Sequence, residues 1–150
     1  MHSDAVVALS PAADRLSSIA TIRSHQLAWR ELQDSLEAQR AAVDSHVRQA
    51  ATASAAIEIL EVLPQAAKIM YRMDGNEIVF VRATDAVGEA IVEEDDFSDP
   101  DSPWTRSEYR PLRAAVRRSE EGLEAAGIHF RGWLDVDVND AISRAAARLG

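Results

Sequence analysis

Apolar residues recur at seven-residue steps through the first half of the chain: Ile22, Trp29, Leu36, Val43, Ala50 and Ile57. Three residues after each stands a second row, His25, Leu32, Gln39, His46, Ala53 and Leu60. The position ahead of the first row, Thr21, Ala28, Ser35, Ala42, Gln49 and Ala56, is small or polar throughout. Two rows of this kind, three apart, predict a helix with a coiled-coil-like seam whose second row is interrupted by polar side chains. Ser10 stands where a cap is wanted, Pro11 suits a first helical turn, and Pro64 is a natural stop. Neither Gly nor Pro lies between the two prolines. The seam residues expected to meet another chain are Ile22, Trp29, Leu32, Leu36, Val43, Ile57 and Leu60.

Length sharpens this expectation. About 52 helical residues span roughly 78 Å, whereas a compact domain of this size is roughly 40 Å across. An unbroken helix outruns its own domain, so pairing in a homo-oligomer is expected. The alternative is a helical hairpin, with the Ser- and Thr-containing run QAATASAA at 49–56 as the bend. His25 and His46 lie three heptads apart on this seam. They are too distant to share a metal on one helix, but across an oligomer axis each can meet its own copy and respond to pH.

Beyond Pro64 the period changes from seven to two. Lys68–Met73 and Glu77–Ala83 read as strands of a hairpin turning at Asp74, Gly75 and Asn76. The run EAIVEE after Gly88 fits either a third strand or the end of a short helix. A helical stretch starts at SPWTRSEY, is re-initiated near Pro111 and runs to Ala126, with Gly127 as its cap and Ile128 just beyond. From Ile128 to Val138 polar and apolar residues alternate, predicting a half-buried strand, and NDAISRAAARL closes the chain as a helix capped by Asp137 or Asn139. The expected fold class is α+β: a long N-terminal helix, a small antiparallel sheet of three or four strands, and two later helices. The expected organisation is a flexible start over 1–9, a helical arm over 10–64 and an α+β domain over 65–150.

Charge adds one local feature. The net charge is −9, and Asp85, Glu89, Glu93, Glu94, Asp95, Asp96, Asp99 and Asp101 supply −8 of it with no base among them. Such a segment can dock a basic partner or stand solvated, and Glu93, Glu94, Asp95, Asp96, Asp99 and Asp101 are its candidate binding residues. It can also neutralise the nearby stripe Arg106, Arg110, Arg113, Arg117 and Arg118. Phe97 and Trp104 are placed to anchor it. A calcium loop is excluded by spacing: from Asp99 the fifth position is Pro103 and the twelfth Arg110. Starting at Asp135, the sixth position is Asp140 and the twelfth Ala146, which fails equally. An adjacent −8 segment repels phosphate, so nucleic-acid binding is not expected from the Arg stripe.

Other chemistry is sparse. With no Cys, disulfides, thiolate zinc sites and cysteine nucleophiles are out. No phosphate-binding glycine loop, serine elbow or H-E-x-x-H is present, and no cofactor or metal is expected. The polar face of the last strand gathers His129, Arg131, Trp133 and Asp135 as a possible ligand face. His129 and Asp135 are roughly 20 Å apart along a strand, too far for a direct dyad. The basic residues are 15 Arg and one Lys, with 27 Ala, a bias associated with GC-rich bacterial coding. The run Ala5–Leu9 is too short for a secretory signal and no stretch is long enough to cross a membrane, so a cytoplasmic bacterial protein is expected.

These features lead to a non-catalytic protein-protein interaction or assembly protein working through its long helix. The alternatives are a small acidic inhibitor, immunity protein or chaperone that binds a basic partner through residues 85–101, and an enzyme or small-molecule sensor using the polar face of residues 128–138.

Overall fold

In a computed structural model, which describes residues 2–149 and side chains from Ala12 onward, the protein has an α+β fold. Helix α1 (His2–Val62) is followed by strands β1 (Lys68–Asp74), β2 (Glu77–Thr84) and β3 (Ala90–Glu93), helix α2 (Arg110–Ala125), strand β4 (Trp133–Asp137) and helix α3 (Val138–Leu149). Short 3-10 turns at Glu94–Phe97, Pro103–Thr105 and Ser107–Tyr109 join β3 to α2. The four strands form one antiparallel sheet in the order β3-β2-β1-β4. The expected cap at Ser10 and flexible start over 1–9 fall among residues whose side chains are not described.

The chain divides into two units, Met1–Val43 and Asp44–Gly150. In the first, every described side chain is exposed. The second holds the core, and the last turns of α1 belong to it. Ala55, Ala56, Ile59 and Leu63 bury against Ile69 and Tyr71 of β1, Ile78 and Phe80 of β2, and Leu112, Ala115, Val116 and Leu123 of α2. The run QAATASAA is therefore not a bend. Helix α1 continues through it, Thr52 returns its hydroxyl to the carbonyls of Arg48 and Gln49, and Ala53, Ala55 and Ala56 are buried. Small side chains there let a helix approach its neighbours closely. With no turn in α1, a helical hairpin is excluded.

Local chemistry sets the remaining elements. The hairpin closes on Gly75 and Asn76, with Gly75 at φ +63°, the positive value that the first central residue of a two-residue type II′ turn needs. The β1–β2 register shifts between Met70 and Tyr71, leaving Val81 as an extra residue on β2. That bulge moves the inward set from Ile78 and Phe80 to Ala83, which a strict alternation would not have placed inside. Helix α2 ends at Gly127, whose N–H donates to Glu124 while that of Ile128 donates to Leu123, and Leu123 and Ile128 are both buried. This is a Schellman ending with its apolar contact. At α3, Asp137 accepts the backbone N–H of Asp140 and is the cap.

Two expectations change. The last strand is Trp133–Asp137 rather than 128–138: Ile128 completes the end of α2, and Gly132 at φ +73° breaks the extended run. The α-helix expected from SPWTRSEY begins only at Arg110, because Pro103 to Tyr109 form separate 3-10 turns.

One buried polar chain crosses the core. The Tyr71 hydroxyl donates to Ser119 Oγ at 2.9 Å, and Ser119 donates to the Val116 carbonyl at 2.7 Å. Burial pushes the Tyr71 phenol far above its ordinary range, so it stays a neutral donor. Ser119→Ala should cost about 1–3 kcal/mol because it orphans the Tyr71 hydroxyl, whereas Tyr71→Phe should cost about 1 kcal/mol, since Ser119 keeps Val116. Urea unfolding of both variants measures the difference, and the order of the two is the test.

Candidate functional site

In Met1–Val43, Ile22, Trp29, Leu32, Leu36 and Val43 are each more than half exposed, from 55% for Leu36 to 66% for Trp29. His25 lies beside Trp29 with ring centroids 6.3 Å apart. The segment from Ala12 lacks Gly and Pro and is rich in Ala, Leu, Gln, Arg and Glu, so the backbone favours a helix. Propensity alone rarely holds a helix in water, and apolar rows of this extent are uncommon on the surface of a monomer. Among the described residues of the first unit, none covers the row.

The second unit shows both faces of α1. Ile59 is fully buried, while Ile57 is 42% exposed. At 100° per residue the two point about 160° apart, so one partner cannot cover both. Val47 is exposed as well. Leu60 differs from the other seam residues in being partly buried against the core.

The acidic segment is folded. Phe97 packs edge-on to Phe80 with centroids at 6.1 Å, Trp104 lies 4.7 Å from Tyr109, and both large side chains rest on the core. Some of its carboxylates serve as local caps. Asp85 accepts the N–H groups of Val87 and Glu89, Asp96 that of Glu93, and Asp99 that of Asp101. Glu94 pairs with Arg72 of β1 at 2.7 Å. Among the described residues, none of the stripe Arg106, Arg110, Arg113, Arg117 and Arg118, which this segment could have neutralised, pairs with it. Arg113 donates to the carbonyls of Trp104 and Arg106, Arg118 pairs with Glu58, and Arg106 pairs with Glu108. Arg110 and Arg117 are exposed, off the row that carries buried Leu112, Val116 and Leu123.

The polar group on the last strand is divided. Trp133 and Asp135 stand exposed on the open face of the sheet, opposite Arg72 and Met70. His129 and Arg131 precede the strand in a loop. Asp135 also lines an open groove of about 270 Å³ with Arg48, Gln49, Asp140 and Arg144. Arg144 is engaged with Asp140, and Gln49 Oε1 is buried there without a partner. No nucleophile and base stand within hydrogen-bonding reach of each other in this groove, and among the described residues no three His, Asp or Glu side chains converge on one point.

Sequence reasoning missed one pair of carboxylates. Glu120 and Glu124, one turn apart on α2, accept the N–H groups of Phe80 and Ile78 at 2.8 and 2.7 Å. These donors lie on the edge of β2 beyond the reach of β3, which pairs only with Arg82 to Thr84. Burial, with smaller contributions from Glu124 and Glu94, raises Glu120 above the ordinary carboxyl range against the bond from Phe80 and the charge of Arg117. A raised carboxyl in a cleft can mark an acid catalyst, but this one is committed to a strand edge. The only signal in the sequence was the i,i+4 spacing of the two acids.

Because the folded state holds the Glu120 proton more tightly than the unfolded chain, its contribution to stability is present below the ordinary carboxyl pKa and is lost as pH rises through the raised one. Glu120→Gln keeps an acceptor for Phe80 without the desolvated charge. Compared with this variant, the natural protein should gain stability as pH falls through that window, read from urea unfolding at several pH values. Glu120→Leu leaves the Phe80 donor unpaired and should cost about 1–3 kcal/mol at neutral pH.

No helix among the described residues is long and apolar enough to cross a membrane. No family model matches the chain, and no curated protein or solved structure is significantly similar to it.

Proposed function

We propose that this protein is a non-catalytic interaction and assembly protein that associates with other chains through the uncovered face of α1. The observation that carries this reading is the row Ile22, Trp29, Leu32, Leu36 and Val43, large apolar side chains at heptad spacing that stay exposed. Fully covering one such side chain is worth about 1.5–3 kcal/mol. A handful on each chain is enough to offset the roughly 4–15 kcal/mol that association costs in lost freedom.

A second reading draws on the acidic segment, which is pinned in place while only Glu94 of its eight acids meets a base among the described residues. It is the capture of a basic protein by an acidic inhibitor, immunity protein or chaperone. Asp85, Asp96 and Asp99 hold turns, so Glu89, Asp95 and Asp101 are the acids to neutralise without disturbing the loop. Together their amides should weaken binding to an Arg-rich peptide by roughly tenfold and leave thermal unfolding unchanged. Unchanged binding sinks this second reading.

For the leading reading, light scattering of the full chain over a concentration range should give a mass above 16.4 kDa, and amide exchange should be slow over residues 22–43. Leu32→Glu with Leu36→Glu should return the mass to that of one chain and make exchange in this stretch fast. A single-chain mass and equally fast exchange for both proteins, alone and with other proteins added, would overturn the reading.

A further inference from the structure

The two rows on the first unit differ in chemistry. Every member of the first, Ile22, Trp29, Leu36 and Val43, is apolar, whereas the second places Leu32 between His25 and Gln39. All four first-row side chains and Leu32 are exposed. We infer that what covers these rows is a second copy of this chain, its residues 22–43 running parallel to the first and in register. The inference rests on the reading of α1 as the association surface and adds who the partner is and how it lies.

Charge placement favours a second copy. The positions flanking the rows are Thr21, Ala28, Ser35 and Ala42 on one side and Gln26, Gln33 and Arg40 on the other. Arg40 is the one charge among them. The remaining charges of this stretch, including Arg23, Arg30, Glu31, Asp34 and Glu37, fall at positions that point away from the seam. In paired helices the flanking positions select partners by complementary charge. Here they offer an acidic or basic partner helix almost nothing to pair with, and two copies meet without opposing rows of like charge. Small residues ahead of the first row leave room for close approach.

The polar members of the second row decide direction. In an antiparallel pair each second-row side chain faces a first-row side chain. Because the first row is entirely apolar, His25 and Gln39 then face apolar groups in every register. A parallel, in-register pair sets His25 against His25 and Gln39 against Gln39. A neutral imidazole and a carboxamide each carry both a donor and an acceptor, so each can bond its own copy. Polar groups buried without partners are costly, and this difference selects the parallel pair. The same two layers fix the register, since a slip of one heptad sets His25 of one copy and Gln39 of the other against Leu32.

The chain has no Cys, so one introduced thiol reports on itself alone. Full-length Val43→Cys, a first-row position, should convert under mild oxidation almost entirely to a disulfide-linked species of doubled mass. Asp34→Cys, on the outer face, should stay unlinked under the same conditions. If the natural chain has doubled mass but Val43→Cys does not link, the parallel arrangement is overturned while α1 remains the association surface. If the natural chain stays at 16.4 kDa and residues 22–43 become protected only when a different protein is added, the second copy is overturned and the surface again stands. If neither mass nor protection ever changes, both fall.

Discussion

The burial of Ala55, Ala56, Ile59 and Leu63 is the contact on which the second unit depends. A four-stranded sheet with one open face cannot shield Ile69, Tyr71, Ile78 and Phe80 by itself. Helix α2 covers part of them, and the closing turns of α1 supply the rest of the layer. A helix turns 100° per residue, so once Ile59 is committed inward Ile57 is committed outward. Packing that builds the domain therefore also fixes which side of these turns is left over. An apolar side chain on the left-over side has no partner in its own unit.

Much of this fold is written in short-range chemistry that a sequence displays. The positive φ of Gly75 closes the hairpin, Gly127 and Ile128 end α2, and Asp137 opens α3, each within a few residues of its partner. What the sequence hides depends on distant neighbours. The alternation of 128–131 resembles a strand, yet Ile128 is apolar because it closes the end of α2 against Leu123. The pairing of Glu94 with Arg72, rather than with the α2 arginines, follows from where β3 leaves the sheet.

The candidate surface divides in the same way. Its heptad row was legible because seven-residue spacing is local, but which of its last members the core takes up required the fold of the second unit. Leu60 lies partly in that core. A strict seven-residue row drifts about 20° per heptad around a straight helix, and by its sixth repeat the second row has turned toward the side that Ile59 and Leu63 bury. The acids show the opposite confusion. A density of carboxylates that reads as a docking surface arises partly from turn building, since Asp85, Asp96 and Asp99 each hold backbone N–H groups in place.

Glu120 and Glu124 have a consequence for how the chain is laid out. An unpaired strand edge invites another strand, and proteins close such edges with a further strand, a bulge or a charge. Here two side chains borrowed from a helix occupy the donors of Ile78 and Phe80, so β3 need not run the length of β2. It ends after four residues, and the chain is released at Glu94 to spend its next stretch on turns. The sheet is closed at this edge by side chains rather than by more backbone, so the length of β3 and the sealing of the edge are set by different elements of the chain.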